Sequence, residues 1–188
     1  MNKFKLFYTN CDCLTKSKLN QLEVSNQLFN PDIICLTEVL PKHSILGYNQ
    51  EMYNIDGYTT IASSLVKRGI CLYCKPGIKY NILTDNSDFD EYLFCEFTGN
   101  HESFVLGVCY RSPNSTIEND SKMLNLFSNM SKVKSDNMVI VGDFNYNMIN
   151  WSNKSTQSPS LSASLFLENL DDLFLEQLVN EPTRYRAG

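Results

Sequence analysis

The sequence predicts an α/β fold, on three observations. Short apolar runs rich in β-branched and aromatic residues recur along the chain, bounded by turn-forming residues. One stretch reads as strand, helix, strand, the usual crossover between parallel strands. Several apolar runs end in polar residues of similar character, and in α/β proteins ligand sites collect at the carboxyl ends of strands. With 188 residues, 43% of them hydrophobic, residues 1–188 fit one domain with a sizeable core.

The elements follow in order. "KFKLFYTN" alternates Phe4, Leu6 and Tyr8 against Lys3, Lys5 and Phe7, a strand running into Thr9 and Asn10. A helix is expected from about Lys16 to Phe29, with Leu19, Leu22 and Phe29 on one face, ended by "NPD" at Asn30 to Asp32. "IICLTE" is a second strand, ending in Glu38. After a loop with Pro41 and Gly47 come strands at "GYTTIA", "GICLYCK", "IKYNIL", "EYLFCEF" and "SFVLGVCYR", with "KPG" (Lys75 to Gly77) and "TGN" (Thr98 to Asn100) as hairpin connections. Met123, Phe127 and Met130 mark a crossover helix leading to "VIVGDFNYNMINW". Val139 to Val141 read as a strand buried on both faces, and Gly142 as the residue that lets the chain turn sharply. Ser152 to Ser160 read as a surface loop, and Ala163, Leu167, Leu170 and Phe174 as a last helical stripe.

A formal charge of −5 argues against a broad basic surface for nucleic acid, so any polyanion must be held locally. No apolar run approaches the roughly 20 residues that cross a bilayer, and no secretory signal precedes the first strand, which predicts a soluble, intracellular chain with no membrane partner. The seven cysteines are read as buried thiols. "CLYC", Cys71 to Cys74, has the spacing of a metal knuckle, but residues three apart on a strand face opposite sides.

The chemistry lies in the strand endings: Asn10 with Asp12, Glu38, Tyr110 with Arg111, and Asp143 with Asn145. In extended chain Asp143 and Asn145 project the same way while Phe144 turns back into apolar material. An acid beside an amide suits a site that binds a metal-linked phosphate and orients a water; the same pair also suits a turn held by side-chain to backbone hydrogen bonds. Carboxylates such as Glu38 and Asp12 are hard oxygen ligands fitted to Mg2+ or Mn2+. Tyr110 reads equally as a core aromatic closing a buried strand.

"YTNCDCL", "DIICLTE", "CYRSPNS" and "VIVGDFN" resemble, in order, the motifs of the endonuclease/exonuclease/phosphatase superfamily. With the tryptophan soon after "GDFN" and the late "EPTR", the chain is most similar to the apurinic-type endonuclease domain of non-LTR retrotransposons. The resemblance implies a four-layer sandwich of two mixed β-sheets flanked by helices, and divalent-metal-dependent phosphodiester cleavage. It implies that Glu38 holds Mg2+ or Mn2+ with Asp12 close by, and that Asn10 places ligand or substrate. Tyr110 would hydrogen-bond the phosphate, Asp143 would orient or deprotonate the attacking water, and Asn145 would hold phosphate and catalytic groups in register. DNA is the implied partner, met in the nucleus, with a reverse transcriptase domain in the same full-length polypeptide.

The family pattern continues with an aspartate-bearing strand and a Ser-Asp-His segment that this sequence does not contain. The domain is therefore expected to lack its C-terminal strands and to be weak or inactive alone; His43 and His101, in loops, are not expected to substitute. Two other readings stand beside the nuclease: a non-catalytic remnant of the fold, and a phosphoesterase acting on phosphoinositides or other small phosphoesters. Lys16, Lys18, Lys42, Lys67, Arg68 and Arg111 are the candidate phosphate contacts, with Arg111, next to Tyr110, foremost for substrate.

Overall fold

A computed structural model describes the chain except for residues 1–3, 43–52, 63–66, 100–102, 180, 182 and 184–188. His43 and His101 lie outside the described residues, as does most of the loop after Pro41. Two four-stranded sheets pack face to face. The first contains β1 (Leu6–Asn10), β2 (Ile33–Thr37), β3 (Thr59–Ala62) and β4 (Ile70–Cys74) in the order β1-β2-β4-β3. The second contains β5 (Lys79–Leu83), β6 (Tyr92–Thr98), β7 (Ser103–Tyr110) and β8 (Asn137–Asp143) in that order. Both are mixed: β1 runs parallel to β2 and β7 to β8, and the remaining pairs are antiparallel.

Residues alternating along the strands fill the layer between the sheets, among them Cys35, Leu72, Leu93, Leu106 and Val108, all buried. The outer face of the first sheet is covered by α1 (Lys16–Phe29) through Leu22 and Leu19. The outer face of the second is covered by α2 (Ile117–Met130) and α3 (Leu161–Asp172), where Met123, Phe127, Met130, Ala163, Phe166 and Leu167 meet Phe94 and Val105. Helix, sheet, sheet, helix is the four-layer sandwich that the motifs imply. Among the described residues, no helix is long and apolar enough to cross a membrane.

Local chemistry accounts for the helix ends. The Thr15 hydroxyl caps α1 by accepting from Lys18 N at 3.3 Å, and Asn30 stops it in the left-handed region at φ 46°, which asparagine tolerates. Thr116 caps α2 in the same way. Cys71 and Cys74 belong to different core layers, on opposite sides of β4.

Several expectations are corrected. "KPG" is no hairpin: it carries the chain from β4 in one sheet to β5 in the other. "TGN" does follow the first strand of an antiparallel pair, with Thr98 opposite Ser103. Val139 to Val141 pack apolar residues on both faces, yet β8 is only half-buried because it is an edge strand among the described residues. Ser152 to Ser160 contain part of a small hairpin, β9 (Ile149–Asn150) with β10 (Ser155–Thr156). Phe29 and Phe174 leave their predicted stripes, at 61% and 95% exposure, because each sits at or past the end of its helix.

Gly142 is needed for a different reason than a turn. It lies within β8, opposite Cys109, where a Cβ would come within 2.0 Å of the Cys109 carbonyl oxygen. The chain turns later, at Asn145, whose φ is 51°.

Candidate active site

The parallel pairs bring the strand endings together. Register places Asn10 beside Thr37, with Glu38 next in the chain, and Tyr110 beside Asp143. β1 and β8 are the edges of their sheets on the same side of the sandwich, and they touch. Four endings distant in sequence thereby meet at one point.

Asn10 is the hub. Its Nδ2 donates to Glu38 Oε1 at 2.6 Å and to Asp143 Oδ2 at 2.7 Å, so one amide joins an acid of the first sheet to an acid of the second. Its Oδ1 accepts from Asp12 N at 3.0 Å, which fixes the orientation of the amide. The segments after β1 and β2 are zipped together by Cys11 N to Thr37 O, Cys13 N to Glu38 O and Leu14 N to Val39 O, at 2.9, 2.7 and 2.9 Å. Asp12, Glu38 and Asn145 all have left-handed backbone, φ 40°, 53° and 51°. Asparagine and aspartate tolerate that region, so the costly case is Glu38, held there by the backbone bonds on either side of it.

Arg68 closes the cluster. Its Nη2 donates to Asp12 Oδ1 at 2.9 Å and ion-pairs with Glu38 Oε2, and the side chain is 10% exposed. It enters at the start of β4, which runs antiparallel to β2 and so begins beside Glu38. Glu91 braces the arrangement, accepting from Arg68 N at 3.2 Å through Oε1 and from Tyr110 N at 3.0 Å through its backbone oxygen. Burial raises the Glu91 carboxyl above its ordinary value, against the opposing hydrogen bond from Arg68 N. The Tyr110 phenol is pushed up, chiefly by burial and then by the charges of Glu38 and Glu91, and the ring lies in the core between the sheets as a closing aromatic. Burial likewise raises Tyr8, whose hydroxyl pairs with the Thr37 hydroxyl at 3.0 Å beneath the site.

Asn145 holds the far side. Its Nδ2 donates to Arg111 O at 2.7 Å and its backbone N to Asp143 Oδ1 at 3.3 Å, while Phe144 turns back against Phe127 and Phe166. Arg111, expected at the substrate, is instead buried. Its guanidinium pairs with Asp120 at 2.7 and 2.9 Å, reaches Phe144 O and Asn145 O at 3.3 Å, and lies 4.0 Å over the Tyr146 ring. The reason is Asp120, a buried acid on α2 that the sequence reading did not single out. Lys18 is also engaged, donating to the backbone oxygens of Cys11 and Asp12, and Lys67 pairs with Asp90. Lys16 and Lys42 are exposed.

The donor set fits a hard divalent cation. Glu38 and Asp12 offer carboxylate oxygens in one place, and a cationic group, the Arg68 guanidinium, already lies between them. Among the described residues no group of three or more His, Cys, Asp or Glu is placed to hold a metal, so the protein would supply few ligands. Mg2+ characteristically accepts one or two carboxylates, with water and phosphate completing its shell.

The chain belongs to the Endonuclease/Exonuclease/phosphatase family, which matches residues 9–187. Among solved structures it is similar to the endonuclease domain of TRAS1, a telomere-specific non-LTR retrotransposon, at 12% identity and TM-score 0.65, covering 91% of this chain and 71% of that one. It is also similar to the AP endonuclease LMAP from Leishmania major (13% identity, TM-score 0.64, 90% and 66% covered). D. rerio TDP2 complexed with single strand DNA product is a third (13%, 0.59, 95% and 67%). At these identities the likeness shows the fold. No curated protein sequence matches the chain.

Proposed function

We propose that this chain is the endonuclease domain of a non-LTR retrotransposon, hydrolysing phosphodiester bonds of DNA with Mg2+ or Mn2+, alongside a reverse transcriptase in the full-length polypeptide. The observation that carries the reading is the Asn10 amide, held between Glu38 and Asp143 across the two sheets. A turn-stabilising role for "GDFN" explains the hydrogen bond from Asn145 N to Asp143, but not why a residue 133 positions away should hold the same carboxylate.

Glu38 and Asp12 would hold the cation, which when bound supplies Lewis-acid polarisation of the phosphate. Asp143 stands opposite Glu38, fixed on one oxygen by Asn10 and on the other by Asn145 N, and orients the attacking water. Tyr110, kept protonated, donates to a phosphate oxygen as charge develops there. Asn145 keeps the strand end in register through Arg111 O.

The DNA assignment is supported by the structural relatives named as endonucleases. Its test is a substrate panel under protein excess with Mn2+: supercoiled plasmid, an abasic-site duplex, a short-chain phosphoinositide and bis-p-nitrophenyl phosphate. Nicking of plasmid or abasic duplex, lost on chelation, is the expected result. Turnover of the phosphoinositide alone would move the protein to small phosphoesters, and turnover of none, even with a family-type Ser-Asp-His segment appended to the chain, would make it a non-catalytic remnant.

A further inference from the structure

The Arg68 guanidinium touches the same two carboxylates that the proposed function gives to a metal. A guanidinium normally meets acids through its fork, two nitrogens to two oxygens. Here a single nitrogen, Nη2, serves both Asp12 and Glu38, while the buried Nε has no hydrogen-bond partner among the described residues. The group is placed for its charge, with its hydrogen bonding incomplete. Its backbone is pinned, Arg68 O accepting from Leu40 N at 2.8 Å and Arg68 N donating to Glu91, so any displacement of the guanidinium is a movement of the side chain. The carboxylates differ in access: the Asp12 side chain is 61% exposed and that of Glu38 11%. A cation arriving from solvent meets Asp12 first and finds Asp12 Oδ1 and Glu38 Oε2 both in contact with Arg68.

We propose that Arg68 is a resident counter-cation of the metal seat. It neutralises Asp12 and Glu38 when no metal is bound and weakens divalent-cation binding, and its guanidinium must swing off the carboxylates for the cation to settle. The cation and Nη2 require the same oxygens, and at contact distance their like charges repel strongly in a partly buried setting. The role assigned is positioning and affinity-setting, and it rests on the metal reading given above.

The test uses the 188-residue chain and its Arg68→Gln, Arg68→Lys and Glu38→Gln variants, with MnCl2 and MgCl2 titrated by calorimetry and each metal-free protein melted. Arg68→Gln is expected to bind Mn2+ at least about tenfold more tightly than wild type, the scale of losing an adjacent like charge. Its metal-free melting temperature should fall, with the deficit closing as Mn2+ is added. Arg68→Lys, which keeps the charge, should stay near wild type. A second readout needs no folded charge-deleted variant: in 15N-arginine-labelled wild type, the Nε–H resonance assigned by its loss in Arg68→Lys should shift with Mg2+ and saturate with the calorimetric isotherm. An Arg68→Gln affinity no better than wild type, or an Nε resonance indifferent to Mg2+, overturns the proposal while Glu38→Gln still abolishes binding. Wild-type affinity in Glu38→Gln would instead overturn the metal seat, and the proposal with it.

Discussion

Asn10 shows how much one amide can organise. It is the donor shared by Glu38 and Asp143, so Asn10→Ala leaves two carboxylates facing each other without a bridge. The expected result is a loss of at least about a hundredfold in metal-dependent cleavage, the scale of misplacing a catalytic acid or base, with a smaller change in stability. Single-turnover cleavage beside urea denaturation separates the two effects. Arg111 makes the opposite case, a residue that looks functional in sequence and, in the fold, is buried against Asp120. Burial pushes the Asp120 carboxyl up, but hydrogen bonds from Arg111, Ser115 and Ser162 outweigh that and leave it below its ordinary 3.8. A depressed carboxylate contributes stability that is full above its unfolded value and lost as pH falls through the folded one, so the contribution should begin to fade only once pH falls through the ordinary carboxylate value of 3.8 and be lost at more acid pH. Asp120→Asn should destabilise the protein at pH 7 by about 3–5 kcal/mol, because it strands a buried guanidinium, and should flatten the acid limb of a melting-temperature profile. A variant as stable as wild type would show that Asp120 does not hold Arg111. Asn10, Glu38, Asp143 and Asn145 were legible because each follows an apolar run. Arg68 was legible only as one of six basic residues: nothing local says that the start of β4 lies beside the end of β2, since that follows from antiparallel pairing across more than thirty residues.

At the scale of elements, periodicity and turn chemistry placed the strands and the first two helices closely, α1 at Lys16–Phe29 among them. What they could not place was the partner of each strand. Lys75 to Gly77 has the composition of a hairpin, and only the packing of two sheets makes it a crossing between them. Gly142 was misread for a similar reason, because a strand-end glycine looks like a turn until the neighbouring strand is in view. Gly142→Ala should destabilise the chain by at least about 1–3 kcal/mol, the usual cost of overpacking, since the added carbon meets a backbone carbonyl that cannot rotate away. Thermal melting would show it. A melting temperature unchanged from wild type would mean that β8 shifts freely at its edge.

Across the whole molecule, the two sheets meet at β1 and β8, and the site exists only where those edges join. The engagement of Lys18, Lys67, Arg68 and Arg111 leaves Lys16 and Lys42 of the six candidate phosphate contacts, in a chain of formal charge −5, so binding of DNA should depend only shallowly on salt. A slope of log K against log salt of roughly −2 to −4 is expected, for two to four phosphates met locally. A much steeper slope would reveal a basic surface that the described residues do not present. The central claim, that the joined edges form a metal-dependent phosphodiesterase centre, is tested most directly by single-turnover nicking of supercoiled plasmid with Mn2+ by the chain extended with a family-type Ser-Asp-His segment, with Asp143 intact against Asp143→Asn. The substitution is nearly isosteric and leaves the Asn10 bridge an oxygen to meet, but it turns an NH2 toward Asn145 N, so a small fall in melting temperature accompanies it. Nicking that is abolished by chelation and slowed about a hundredfold or more in the variant, with no more than that small fall in melting temperature, is the predicted result. Equal nicking by the two proteins would contradict it and return "GDFN" to the role of a turn.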